Sequence, residues 1–217
     1  MTPKTLFTSA VLVAGLSAGG VHAATLTTTF NSNNGAAGNM FNIEIGPNAI
    51  NLTDIAINLD ILTETTVSFW FRLGSYVGFE TSSDGWTLLD QAVLTGQGEG
   101  NPTPWDLTDQ IFVADTTYGI FLHDNTSDVQ YTNATGAPTA VFAENDDLAF
   151  FVGLGRGVNT VDPFAGDIFD GRGWNGTLNY DVLPAPSAVP LPAGGLLLLS
   201  GLAGVAGLRR RAKRRAG

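Results

Sequence analysis

Short apolar runs with polar residues at alternate positions, cut by Gly, Asn, Asp and Pro, fill the middle of the chain. In TVSFWFRL, residues 66–73, Val67, Phe69, Phe71 and Leu73 fall on one side and Ser68, Trp70 and Arg72 on the other. That period of two predicts a strand with one buried face. Similar runs occupy 26–30, 52–59, 86–95, 111–114, 117–123, 129–132, 148–153 and 177–182. Closely spaced short strands without a sustained helical period predict an all-β chain, an antiparallel β-sandwich with jelly-roll-like connections.

The two ends break this pattern. Residues 1–23 carry Lys4, an apolar stretch over 6–16, and small residues Val21 and Ala23 around His22. This is the layout of a secretory signal peptide, with cleavage after Ala23 or Ala24, and His22 leaves with it. Gly15, Gly19 and Gly20 argue against a buried helix there. At the other end, residues 191–208 hold no charge, and at a rise of about 1.5 Å each they reach about 27 Å, close to one hydrocarbon thickness. Arg209, Arg210, Arg211, Lys213, Arg214 and Arg215 follow at once. A basic cluster beside a span stays on the cytoplasmic side, so 191–208 is expected as a transmembrane helix, 209–217 as a basic cytoplasmic tail, and the body lies outside.

Directly before the span stands VPLPA: Val189, Pro190, Leu191, Pro192 and Ala193. The prolines hold this stretch extended and accessible to a protease. Motif, span and arginine-rich end together resemble the VPLPA variant of the PEP-CTERM sorting signals of bacteria. The resemblance implies an exosortase, a membrane-embedded processing enzyme, as partner, removal of the tail, and a mature form at the cell surface or in the extracellular matrix. The body also resembles a domain found in exported proteins with such tails, through GNMF, Y.GFE.....W, GNPTP, YGIF, YTN and WNGTL.Y between Gly38 and Tyr180. That resemblance implies a β-sandwich of unknown function and carries no functional residues with it.

The body, residues 24–184, has the size of one domain, and 185–190 form a linker and the start of the motif. All 20 acidic residues lie in it against Arg72, Arg156 and Arg172 alone, a formal charge of −17 where the whole chain has −10. Such a field repels nucleic acid and anionic lipid. There is no cysteine, which excludes thiol chemistry, and His123 is the one histidine beyond the signal, which rules out a His-rich metal centre and speaks against a Ser-His-Asp triad.

Four aromatic segments are candidate ligand sites. GSYVGFETSSDGW is a hairpin connection with a tight turn at Asp84-Gly85, and GEGNPTPWDL is expected as a loop around two prolines. YGIFLHDNTSDVQYTN and GRGWNGTLNY complete the set. Trp70, Trp86, Trp105 and Trp174 have the rings to stack on sugar faces, which makes extracellular polysaccharide the candidate ligand. The competing reading is that these rings fill the sandwich. Asp162, Asp167 and Asp170 supply hard oxygen ligands suited to Ca2+, the one cofactor the acids suggest, with the run from Glu144 to Asp147 as the other acidic candidate. Glu80 with Asp84 and Glu99 with Asp106 are sequence-close carboxylate pairs of the kind glycoside hydrolysis uses. The function expected is a non-catalytic, exosortase-processed surface or matrix protein that binds polysaccharide. The alternatives are a purely structural envelope or matrix protein and a glycoside hydrolase.

Overall fold

A computed structural model describes residues 20–184 of the 217. The expected span 191–208, the VPLPA motif, the basic tail and most of the signal segment lie outside the described residues.

The described chain is antiparallel β throughout: β1 (His22–Thr27), β2 (Asn34–Ala36), β3 (Gly38–Ile45), β4 (Ile50–Asn58), β5 (Glu64–Leu73), β6 (Thr87–Thr95) and β7 (Pro102–Phe112). Then come β8 (Thr117–Asp124), β9 (Val129–Asn133), β10 (Val141–Glu144), β11 (Leu148–Phe151), β12 (Gly153–Arg156), β13 (Ile168–Trp174) and β14 (Gly176–Val182). A single 3-10 turn, Pro163–Ala165, stands between β12 and β13. The strands form two antiparallel sheets, as the alternation predicts, and their connections are jelly-roll-like. The smaller runs β1-β14-β4-β7, and the larger β2-β9-β13-β12-β3-β8-β5-β6, with β11 on β3 and β10 on β11.

The inner faces meet in one core. Phe41, Ile43, Phe69, Ile120, Leu122 and Phe150 come from the large sheet, and Leu52, Ile55, Ile57, Trp105, Leu178 and Tyr180 from the small one. Each set lies on alternate positions of its strand, with a bulge between Leu52 and Asp54 that brings Ile55 back to the inner face, so burial selects the register. Trp174 closes the centre, stacked on Phe41 at 5.2 Å between centroids and tilted against Phe150 at 5.2 Å.

Three departures from the sequence expectation follow from packing. The GNPTPWDL stretch is not a loop, because Pro102–Phe112 is an edge strand paired only with β4, where prolines cost no ladder bond, and this puts Trp105 into the core. β5 is not half-buried: its outward residues Ser68 and Arg72 are buried as well. β11 and β12 follow one another along β3 with a break at Val152, whose amide turns to the carbonyl of Ala140. At the break, a Cβ on Gly153 would lie 1.9 Å from the carbonyl oxygen of Met40, so the strands approach this closely only with glycine there.

β1 starts at His22, so the cleavage position expected after Ala23 or Ala24 falls inside a strand whose register runs from His22↔Val182 to Thr27↔Thr177. Leu26 is its first residue in the core.

Candidate functional site

The outer face of the large sheet carries a second, separate cluster of buried side chains. Its rungs follow from the registers of β12, β3, β8 and β5. One rung reads Arg156, Gly38, His123, Ser68, and the next Leu154, Met40, Phe121, Trp70. A third, over β3, β8 and β5, reads Asn42, Gly119, Arg72. A sheet face that a simple sandwich leaves to solvent is here roofed by two connections, 74–86 and 157–167.

The first connection is tied down by the side chains beneath it. Asn42 Oδ1 accepts from the amide of Tyr76 at 3.0 Å, and Asn42 Nδ2 donates to Ser75 Oγ at 3.0 Å. The Gly119 amide donates to the Gly74 carbonyl at 2.7 Å, and Arg72 Nη1 donates to the Ser75 carbonyl. The Arg72 guanidinium lies 3.5 Å from the centre of the Phe79 ring, a cation–π contact. The turn over 83–86 closes with Trp86 N donating to Ser83 O at 3.1 Å, and Gly85 supplies the positive φ of 74°. Trp86 thereby points inward, and its Nε1 donates to Phe79 O at 3.1 Å.

The second connection inserts Phe164. Asp162 caps the 3-10 turn by accepting from the Phe164 amide at 2.9 Å, with Pro163 at the first position, where no amide is needed. The Phe164 ring packs at 5.2 Å from Phe121, 5.4 Å from Trp70 and 5.7 Å from Trp86. Below it Arg156 is fully buried and donates from Nη2 to the Phe164 carbonyl at 2.5 Å.

The electrostatics of this cluster are set by burial. Burial lowers the Arg156 pKa, while Glu80, Asp162 and Asp167 pull it back up. Burial first, and then the charge of Arg156, push His123 down to about 4, so its imidazole is neutral at pH 7. Tyr76 is pushed up to about 12 by burial, with Glu80 and Asp170 adding to the shift. Arg156 Nε and Nη1, Arg72 Nε and His123 Nε2 are buried without a hydrogen-bond partner. The arrangement holds two guanidinium groups, one neutral imidazole and a cage of rings, a chemistry that seats the connections on the sheet.

The four tryptophans divide between two interiors. Trp70 and Trp86 meet in the outer-face cluster, while Trp105 and Trp174 lie in the central core, 3% and 1% exposed. Trp105 meets Phe69 edge-on at 6.5 Å. They do not form one exposed platform. The three aspartates do not converge either: Asp162 is a cap, Asp170 opposes Leu154 in the β12–β13 ladder, and the Asp167 carbonyl accepts from the Gly157 amide. Among the described residues no three His, Asp or Glu side chains are grouped to hold a metal ion. In the run 144–147, Asn145 Oδ1 accepts from the amides of Asp147 and Leu148, which makes it a turn. An open groove of about 300 Å³ beside it is lined by Glu44, Asp115, Glu144 and Asp146 and by none of the tryptophans.

Of the carboxylate pairs, Glu80 accepts from the Gly78 amide at 2.9 Å and Glu99 from Ser32 Oγ at 2.5 Å. Asp106 stands opposite Asp54 in the small sheet. Phe164, Asn42 and Arg156 are the members of the cluster that the sequence reading does not single out as site residues, and Tyr76 enters it only as part of the segment GSYVGFETSSDGW. The available signal is the Asp-Pro-Phe cap at 162–164 and the alternation of Gly119, Phe121 and His123 on β8.

No protein-family model matches the chain, and no curated protein matches it. The assignment to an exosortase-sorted, CTERM-bearing family is corrected accordingly: no family finding carries it. The expected transmembrane helix is corrected to the same extent, since among the described residues no helix is long and apolar enough to cross a membrane, and 191–208 lie outside them. The solved structures to which the chain is similar include that of the Gx strain of infectious bursal disease virus and that of the VP2 subviral particle of the same virus. These two share 9% and 11% identity with this chain, cover 88% and 90% of it, and each gives a TM-score of 0.27. The chain spans about half the length of those two chains, 49% and 50%. A likeness this loose carries no argument about role.

Proposed function

We propose that the body is a non-catalytic structural module of an exported protein, with a place in the envelope or extracellular matrix. The observation that carries this reading is the destination of the chemically capable side chains. Trp86, Trp105, Trp174, His123, Arg72 and Arg156 are buried in two interiors, one between the sheets and one beneath the roof of the large sheet, and Trp70 is half-buried against the second. A ligand platform of the stacking kind needs rings at the surface, and an acid–base pair needs groups held facing one another. The connections here instead thicken the sandwich. Export rests on the pattern of residues 1–23, and the charge of −17 on the body suits a soluble extracellular surface.

Fractionation of the producing cells tests the reading. The protein is expected in the matrix or envelope fraction and to stay there through a salt wash. The purified body is expected to release no reducing ends from polysaccharides and to be retained by none on a glycan array. Release of sugar ends, selective retention on one glycan, or recovery in the cytosol overturns it.

A further inference from the structure

The chain contains two Asn-Gly pairs, Asn34-Gly35 and Asn175-Gly176, and the fold treats them in opposite ways. Glycine after asparagine leaves the following amide nitrogen uncrowded, so that nitrogen can attack the side-chain amide carbon. At the second pair this reaction is blocked. Asn175 is fully buried, its side-chain amide is held by Thr132 Oγ1 at 3.2 Å, and the Gly176 amide donates to Thr28 Oγ1 at 3.0 Å.

The first pair stands at the beginning of β2, a three-residue strand at the rim of the large sheet. Asn34 is only half-buried, and the Gly35 amide donates to Asn34 Oδ1 at 2.8 Å, which keeps the nitrogen beside the side-chain amide whose Cγ it attacks. Asn34 Nδ2, the leaving nitrogen, donates to Asn133 Oδ1 at 3.0 Å on the exposed side.

We propose that Asn34-Gly35 is a site of spontaneous succinimide formation and deamidation in the folded protein, and that Asn175-Gly176 is protected. The Gly35 amide gives its proton to solvent base, and its nitrogen forms a bond to Asn34 Cγ. The Cγ–Nδ2 bond breaks, and ammonia leaves with a proton from water. A second water opens the five-membered ring at either carbonyl, leaving aspartate or isoaspartate at position 34. No oxidant, reductant or enzyme is required, so the step is independent of the module's role. Either product replaces the donor facing Asn133 Oδ1 with an anion. Isoaspartate in addition lengthens the backbone by one carbon where Asn34 pairs with Tyr131, and β2 has two further pairs, Gly35↔Gln130 and Ala36↔Val129, to absorb the shift. A carboxylate against a carbonyl oxygen and a slipped register both detach β2 from β9. In a protein held for long periods outside the cell, the change is one-way and cumulative.

The test is peptide mapping by mass of the full chain during incubation at pH 8 and 37 °C, folded and in urea, with an isoaspartate-specific methyltransferase as second readout. In the folded protein position 34 is expected to gain roughly one dalton at a rate about ten-fold or more above position 175, and in urea the two are expected to converge. Gly35→Ala, whose Cβ meets only the flexible end of Gln130, is expected to fold, as dichroism will report, and to slow conversion at 34. The proposal is overturned if the folded protein converts 175 as fast as 34, if 34 is stable when folded but converts in urea, or if Gly35→Ala leaves the rate unchanged.

Discussion

Gly119 lies directly beneath the backbone of Tyr76: a Cβ at position 119 would stand 2.8 Å from the Tyr76 amide nitrogen and 3.0 Å from Arg72 Cγ. The 74–86 connection therefore rests on a bare strand, and neither obstacle is the free end of a side chain. Gly119→Ala is expected to cost about 1–3 kcal/mol, as overpacking does, and to lift the roof enough to redden the Trp86 fluorescence. Urea unfolding together with emission spectra checks both. Unchanged stability and spectrum mean that the connection is not seated on Gly119.

Arg156 is a fully buried cation with one hydrogen bond, to the Phe164 carbonyl, and two unpartnered nitrogens. Its stem fills space, while its charge carries a desolvation cost. Arg156→Met retains the volume and is expected to stay within about 1 kcal/mol of the parent, whereas Arg156→Ala opens a cavity and is expected to cost about 2–4 kcal/mol. Denaturant melts of the two variants at pH 7 decide the matter. Equal losses show that the charge, and not the packing, is what the site needs.

His123 gives the acid limb of stability a definite sign. Its native pKa of about 4 lies below the ordinary value of 6.5, so between these pH values the unfolded chain binds a proton that the native state refuses. Stability from this group is fully present above pH 6.5 and falls as pH drops towards 4, by at most about 3 kcal/mol. Asp124, buried and raised, acts in the opposite sense, since the native state holds its proton after the unfolded state has lost it. Subtracting the pH profile of His123→Gln from that of the parent isolates the histidine. A difference that stays flat from pH 7 to 4 refutes the assignment.

Asp162 holds its roof by a cap, which needs an acceptor and not a charge. Asp162→Asn is expected to be nearly silent, and Asp162→Ala to cost about 1 kcal/mol and to loosen Phe164. With that carboxylate engaged by a backbone amide, Ca2+ is expected to raise the melting temperature no more than NaCl at matched ionic strength. A calcium-specific rise that Asp162→Asn abolishes would place a metal at the cap.

The fold class was legible because alternation is a backbone property, and Val67, Phe69 and Phe71 announce the inner face of β5 wherever that strand lies in the sheet. β3 hid its alternation: Met40 is buried against the roof as Phe41 is buried against the core, and two buried faces blur a period of two. β12, Gly153–Arg156, is missed beyond the end of the 148–153 run because its glycines, which serve close approach to neighbouring chain, leave no apolar alternation to read. Pro102 and Pro104 disguised β7 for the complementary reason, that an edge strand has amides to spare. The candidate cluster was legible only in part. Trp70 and Arg72 were visible on one side of β5, but what meets them, Phe164 and Trp86, arrives from 157–167 and 74–86, and chain proximity carries no trace of that meeting.

At its centre, over β3, β8 and β5, the large sheet is roofed on one face and packed on the other, and this sets its clock. Amides of β3 and β8, and those of β5 that face β8 rather than β6, sit where neither fraying of β1 nor local opening of β6 bares them, so their exchange with deuterated solvent waits for the whole domain to open. The last protons to leave report the global free energy of unfolding. Lifting either connection, as Gly119→Ala is built to do, hands those three strands a faster route to water.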